Sequence, residues 1–135
     1  MERRDLIEDE IRRVSTILNN ILARYYGHAV QEQTDAEATN RSLKDELCID
    51  VEKVMAYSYG ELKLYVKELK LGGEQLEILS AYLASVGEKE GKGSDAARAW
   101  YRRAIDLLEV AEEEDQTLSL ARFERKKRLM GLIEG

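Results

Sequence analysis

The stretch Ser94–Ala111, SDAARAWYRRAIDLLEVA, decides the fold of this chain. Ser94 is a residue type that caps helix N-termini, because its hydroxyl can accept a hydrogen bond from the first turn. Behind it, small and large apolar residues recur at steps of three and four, which is the spacing of one helix face: Ala97, Trp100, Tyr101, Ala104, Leu108 and Ala111. We predict a long helix from this cap to about Glu113, with these residues buried.

A second helix is predicted just before this one. Gly72-Gly73 is the clearest break in the chain, since paired glycines favour turns. Helical spacing resumes after it, and the apolar positions are Leu76, Leu79, Tyr82, Leu83 and Val86. We therefore predict a helix over Glu74–Val86. The segment Gly87–Gly93 holds three glycines among charged residues and is predicted to be a polar loop between the two helices.

This predicted pair resembles a tetratricopeptide helical hairpin between Ile78 and Ala104. The resemblance rests on a large residue and an aromatic on the first helix, and on a small–aromatic–small trio on the second: Ile78, Tyr82, Ala97, Tyr101 and Ala104. The sequence departs from the repeat at Leu79, where a small residue is usual, and at Glu109, near the usual proline. One repeat is fewer than the roughly three that make a stable array.

The whole chain is also similar to a family of small uncharacterised bacterial helical proteins. That family combines a long N-terminal amphipathic helix, a short helical middle and a tetratricopeptide-like C-terminal pair. The matching stretches are Arg4–Ala23 and Leu76–Leu108. The resemblance implies a fold and gives no information about activity.

The N-terminal segment Arg3–Tyr26 carries the longest amphipathic pattern. Its apolar stripe alternates steps of four and three, with Gly27 as the expected stop: Ile7, Ile11, Val14, Leu18, Ile21 and Tyr25. Such a stripe is typical of a core helix. It also fits a heptad over about three repeats, so a homodimer seam is the alternative.

The middle of the chain predicts three shorter helices. The first, over residues 30–47, has a thin stripe of Ala36, Leu43 and Leu47. The second begins at an Asp50 cap and carries Val51, Val54 and Met55. The third begins at Ser58, which forms a capping-box pattern with Glu61, and presents Leu62, Tyr65, Val66 and Leu69 on one face.

Composition supports an all-α chain of about six to seven antiparallel helices in a single domain, 1–135. Proline is absent from the 135 residues, whereas average usage would give about seven. Residues 1–71 are expected to form the N-terminal helices, and residues 72–135 the hairpin and a terminal helix. No apolar run approaches the ~20 residues of a membrane span. One cysteine and no apparent export signal favour the cytoplasm.

The sequence offers no recognisable catalytic, cofactor or metal site. The single histidine, His28, is predicted to lie at the end of the first helix, and the single cysteine, Cys48, is predicted to be a buried small apolar residue. A zinc site needs more ligands of these types than the chain contains. Tyr25-Tyr26 and Tyr57-x-Tyr59 could form a stacking platform but are more typical of a core. We therefore predict no enzyme, no cofactor and no metal.

A local charge pattern stands out near the C-terminus. The acidic run Glu112–Asp115 is followed by Arg122–Arg128, which has five basic residues in seven. Three interpretations fit: a solvated helix that caps the hairpin, a basic patch for an acidic partner or RNA, and intramolecular pairing with the acidic run. The terminal helix is predicted over Gln116–Ile133, with one side formed by Leu120, Phe123, Met130 and Ile133.

The leading functional prediction is a non-catalytic protein-interaction or scaffolding module, with a protein partner of unknown identity and an unknown binding site. A nucleic-acid-binding accessory protein that uses Arg122–Arg128 is one alternative, although the net charge of −6 disfavours nonspecific DNA binding. A helical protein that binds a small ligand is the other alternative.

Overall fold

The computed structural model describes residues 2–29, 32–116 and 118–135, with side chains from residue 8 onward. These residues form seven α-helices and no strand, so the all-α prediction is confirmed. The helices are α1 (Glu2–Tyr26), α2 (Ala36–Leu47), α3 (Val51–Ala56), α4 (Tyr59–Glu68), α5 (Gly73–Lys89), α6 (Asp95–Asp115) and α7 (Leu120–Glu134). None of these seven is both long enough and apolar enough to cross a membrane.

The chain divides into two compact units, Met1–Glu52 and Lys53–Gly135. In the first unit α1 packs against α2. In the second unit α5 packs against α6, and α6 packs against α7. Gly72, where the sequence suggested a division, is the N-cap of α5 and lies inside the second unit. The assignment of residues 1–135 to a single domain stays a prediction.

Four predicted helix ends are confirmed, three marked by a capping side chain and one by a glycine. Gly27 ends α1 with a positive φ of 78°. Asp50 accepts a hydrogen bond from the Glu52 N–H at the start of α3. Ser58 forms the capping box of α4, and the Ser94 hydroxyl accepts from the first turn of α6. Local hydrogen bonds fix these positions, so the sequence is sufficient to find them.

Three predicted boundaries are wrong. The helix predicted over residues 30–47 begins at Ala36, because the Asp35 carboxylate caps it by accepting from the Ala38 N–H; residues 30 and 31 lie outside the described part. Helix α5 continues past Val86 to Lys89, so the loop is shorter than predicted. The terminal helix begins at Leu120, after its N-cap Ser119, because Gln116 is the left-handed C-cap that ends α6 at Asp115.

The stripe on α1 is buried only in its second half. Leu18 and Ile21 are 0% and 1% exposed, as a core helix requires, whereas Ile11 is 46% exposed. Val14 is half-buried, and the Ile7 side chain lies outside the described residues. The 12-residue α2 spans about 18 Å and cannot cover the ~38 Å of α1. The core prediction is therefore wrong for Ile11, and the dimer-seam hypothesis stays a prediction.

Close packing joins α5 and α6 into an antiparallel pair. The Ser80 hydroxyl donates to the backbone carbonyl of Ala104 at 2.6 Å in the buried contact. Nearer the loop, Gly87 is buried in helical backbone, and a Cβ there would lie 2.9 Å from Tyr101 Cε1 and 3.0 Å from Trp100 Cβ. Tyr101 is buried, whereas Trp100 is half-exposed, contrary to the prediction that both are buried. The missing side chain at Gly87 allows the two helices to approach.

The variant Gly87→Ala tests this close approach. We expect it to lower the free energy of unfolding by about 1–3 kcal/mol, as overpacking does. The matched control is Gly60→Ala on the exposed surface of α4, where a Cβ meets nothing within 4 Å, and which should stabilise by about 0.4–1 kcal/mol. Urea denaturation measures both variants. Equal effects of the two substitutions would contradict the packing argument.

Candidate protein interface on the C-terminal helix

A buried arginine anchors α7 to the α5–α6 pair. Arg122 is 5% exposed; its Nε donates to Glu77 Oε1 at 2.8 Å, and its Nη2 donates to Asp115 Oδ2. A Cβ on Gly73 would lie 2.2 Å from Asp115 Oδ2 and 2.7 Å from Arg122 Nη2, so glycine makes room for this contact. Burial alone would lower the pKa of Arg122, but hydrogen bonds to Asp115 and Glu77 and the charges of these two carboxylates raise it.

A second ion pair and a backbone contact extend this anchor along α7. Lys126 Nζ lies 2.9 Å from Glu112 Oε2, and Arg98 Nε donates to the Ile133 carbonyl at 3.2 Å. Residue numbers therefore run in opposite directions on α6 and α7, which are antiparallel. The predicted pairing between the acidic run and the basic segment is confirmed for two of the five basic residues.

The other three basic residues point to solvent. Arg125, Lys127 and Arg128 are exposed, and no ion pair involves them within the described part of the chain. The basic segment therefore divides by helix face, because residues 122 and 126 face α6 while the others do not. Three cations, rather than five, are available to an external partner.

Four large apolar side chains of α7 also face solvent. Leu132, at 38% exposed, lies on another side of the helix, and the other three share one flank. Leu120 is 76% exposed, Phe123 57% and Met130 45%. Steps of three and seven residues place them along one flank of the helix, with Lys127 between Phe123 and Met130. We call Leu120, Phe123 and Met130 the apolar strip. Ile133, predicted on the same side, is half-buried, and the buried side of α7 instead contains Arg122 and Leu129.

A separate cluster of charged groups lies where α4 begins against α6. The Tyr59 hydroxyl donates to Glu113 Oε1 at 3.0 Å, and Lys63 Nζ lies 2.7 Å from Glu113 Oε2. Burial and the Glu113 carboxylate raise the pKa of Tyr59. Hydrogen bonds from Lys63 and Tyr59 lower the pKa of Glu113. Each of these charges has a partner, which is the pattern of a structural network.

A second part of this cluster holds a half-buried carboxylate. Arg103 donates through Nη2 to the Tyr57 carbonyl and places Nη1 3.4 Å from Asp106 Oδ2. Burial raises the pKa of the Asp106 carboxyl, and the Arg103 charge opposes that rise. No group of three or more His, Cys, Asp or Glu residues in the described chain is arranged to hold a metal ion.

The remaining sequence candidates have different surroundings. His28 is exposed just past the end of α1, as predicted. Cys48 is exposed, so the prediction of a buried thiol is wrong; it ends α2 at a left-handed backbone position, which turns it away from the helix. Tyr25 is buried, as in a core. A cleft of about 520 Å³ lies beside Tyr101, Glu88 and Lys92. The hypothesis that the chain binds a small ligand stays a prediction.

Comparison of the chain with protein-family models, with curated proteins and with solved structures found no match. The resemblance of α5 and α6 to a tetratricopeptide hairpin therefore stays a prediction.

The variant Arg122→Met tests the anchor of α7. It removes hydrogen bonds between charged groups, so we expect the free energy of unfolding to fall by about 1.5–3 kcal/mol. The matched control Arg125→Met changes an exposed arginine on the same helix and should stay within about 0.5 kcal/mol of wild type. Urea denaturation measures both. Similar losses in the two variants would show that Arg122 has no special structural role.

The variant Asp106→Asn tests the half-buried carboxylate. The folded-state pKa of Asp106 lies above its unfolded-state value, so the folded state binds more protons between the two values and loses stability as pH rises through that window. Asparagine cannot ionise. As pH rises from acid to neutral, the free energy of unfolding of wild type should therefore fall relative to that of the variant. A difference that stays constant in denaturation curves across this range would contradict the raised pKa.

Proposed function

We propose that this chain is a non-catalytic protein-interaction module with a scaffolding role, and that α7 binds an acidic amphipathic helix. The observation that carries the proposal is the exposed apolar strip of Leu120, Phe123 and Met130 beside cations that form no ion pair with any described residue. Contiguous exposed apolar side chains at the surface are typical of interaction sites.

The apolar strip has the spacing that helix-in-groove recognition uses. Anchors at steps of three and seven residues match a partner helix laid along α7. Full burial of each such side chain is worth about 1.5–3 kcal/mol, before the cost of association. A helix that is already folded and anchored through Arg122 loses little conformational entropy when it binds.

The exposed charges of α7 indicate what kind of partner helix would bind. Lys127 lies within the apolar strip, Glu124 and Glu134 flank it, and Arg125 and Arg128 lie on another exposed part of α7. Because exposed cations outnumber exposed carboxylates on α7, a partner with carboxylates beside its apolar stripe is favoured over a basic one. We therefore propose a partner helix with an apolar stripe and acidic flanks.

Two further parts of the proposal concern chemistry and location. The charged cluster at α4 and α6 is mutually paired, which suits a structural role, so we propose no catalysis. We also propose a cytoplasmic location, since an exposed cysteine thiol outside any disulfide, Cys48, suits a reducing compartment.

A synthetic amphipathic helix with a leucine stripe flanked by glutamates tests the proposal, with a twin peptide that carries lysines in the flanks. We expect the acidic peptide to bind and the basic twin to bind about tenfold more weakly or not at all. Fluorescence anisotropy measures both affinities. In the double variant Phe123→Gln/Met130→Gln, affinity for the acidic peptide should fall by about tenfold or more.

The matched control is Leu64→Gln, which changes a residue that is 64% exposed on α4 and should leave binding unchanged. If neither peptide binds, or if the control variant loses binding as the double variant does, the proposed interface is wrong. Salt-sensitive binding of single-stranded RNA that depends on Arg125, Lys127 and Arg128, without peptide binding, would favour the nucleic-acid alternative instead.

A further inference from the structure

A cleft of about 520 Å³ lies where the end of α5, the first half of α6 and the end of α7 meet. Glu88 lines it from α5, Lys92 from the loop that follows, Tyr101 from α6 and Leu132 from α7. We call this space the Tyr101 cleft. Its volume falls in the range of about 300–1,000 Å³ that is typical of small-molecule sites. None of the described residues that line it belongs to the apolar strip, so the cleft is a separate surface.

Tyr101 brings a hydroxyl group to this cleft on a residue that is almost fully buried. The residue is 6% exposed, and its ring lies against the backbone of α5 at Gly87. Within the described part of the chain, the hydroxyl forms no hydrogen bond. Burial and the nearby charge of Glu88 raise the pKa of Tyr101, so the hydroxyl keeps its proton at neutral pH and can donate. Buried tyrosine hydroxyls usually have a hydrogen-bond partner, which a molecule in the cleft can supply.

Two charged side chains of the cleft are also available to a ligand. Glu88 and Lys92 are exposed, and neither forms an ion pair with any described residue. The charged cluster of α4 and α6 is different, because Lys63 and Arg103 pair there with carboxylates. The cleft therefore combines a carboxylate, an ammonium group and a phenol hydroxyl, none of which is paired with another side chain of the described chain.

Glycines line much of the remaining wall of the cleft: Gly93, Gly131 and Gly135. Gly131 lies within α7, where glycine weakens a helix relative to alanine. A Cβ there would meet nothing within 4 Å, so the packing of the described chain does not require glycine, in contrast to Gly87. Glycine also lets a ligand approach the backbone closely. A flat apolar group can therefore lie against Gly131 beside the exposed Leu132.

We infer that the Tyr101 cleft binds a free amino acid with an aromatic side chain. The ammonium group of the ligand lies beside Glu88, and its carboxylate accepts from Lys92 and from the Tyr101 hydroxyl. The aromatic ring lies against Gly131. A ligand that carries both charges satisfies both charged groups of the cleft, whereas an amine or an acid alone leaves one of them unpaired. The inference goes beyond the proposed function and does not rest on it.

Isothermal titration calorimetry of the full chain with L-phenylalanine tests this inference. Two analogues are the matched controls: 2-phenylethylamine, which lacks the carboxylate, and 3-phenylpropionate, which lacks the ammonium group. We expect L-phenylalanine to bind and each analogue to bind about tenfold more weakly or not at all, since each loses a hydrogen bond between charged groups. If L-phenylalanine does not bind, or if either analogue binds as well as it does, the inference is overturned.

The variant Tyr101→Phe removes the hydroxyl and keeps the ring that packs on α5. It should weaken the binding of L-phenylalanine by about threefold to tenfold. The matched control is Tyr65→Phe, which removes the same atom from a residue of α4 outside the cleft and should leave binding unchanged. Circular dichroism checks that both variants fold. Equal affinities of Tyr101→Phe and wild type would contradict the role of the hydroxyl.

The variant Gly131→Ala separates ligand binding from stability. Alanine should raise the urea midpoint, because it favours the helix and meets no other atom in the unbound chain. It should also weaken the binding of L-phenylalanine by about tenfold, because its methyl group occupies space that the ring needs. The matched control Gly60→Ala should raise the midpoint and leave binding unchanged. A Gly131→Ala chain that binds L-phenylalanine as wild type does would overturn the proposed position of the ring.

Discussion

The ion pairs of the Arg122 guanidinium determine which face of α7 packs against the rest of the C-terminal unit. The guanidinium is almost fully withdrawn from water and donates to Glu77 on α5 and Asp115 at the end of α6. A buried cation is stable only where such partners are in place, so this contact specifies position more than it adds net stability. The approach of Asp115 to Arg122 in turn needs Gly73, since a Cβ there would overlap Asp115.

The consequence is that α7 packs through its mixed charged and apolar side. Arg122, Lys126 and Leu129 recur at steps of four and three and face α6 with Ile133, so the helix has little room to turn its apolar strip inward. Leu120, Phe123 and Met130 therefore remain in solvent. A fold that satisfies its buried charges in this way leaves an apolar surface that a partner can cover.

The sequence by itself determined the helices and most of their ends, because caps such as Ser58 and Ser94 act through hydrogen bonds within a few residues. It also indicated that the acidic and basic runs near the C-terminus could pair. It did not identify Glu77 as a partner of Arg122, since those residues lie 45 positions apart. For the same reason, the sequence did not show that Ile11 and Phe123 are exposed. Periodicity tells which residues share a helix face, but only tertiary packing decides which face is covered, because burial depends on neighbours distant in sequence.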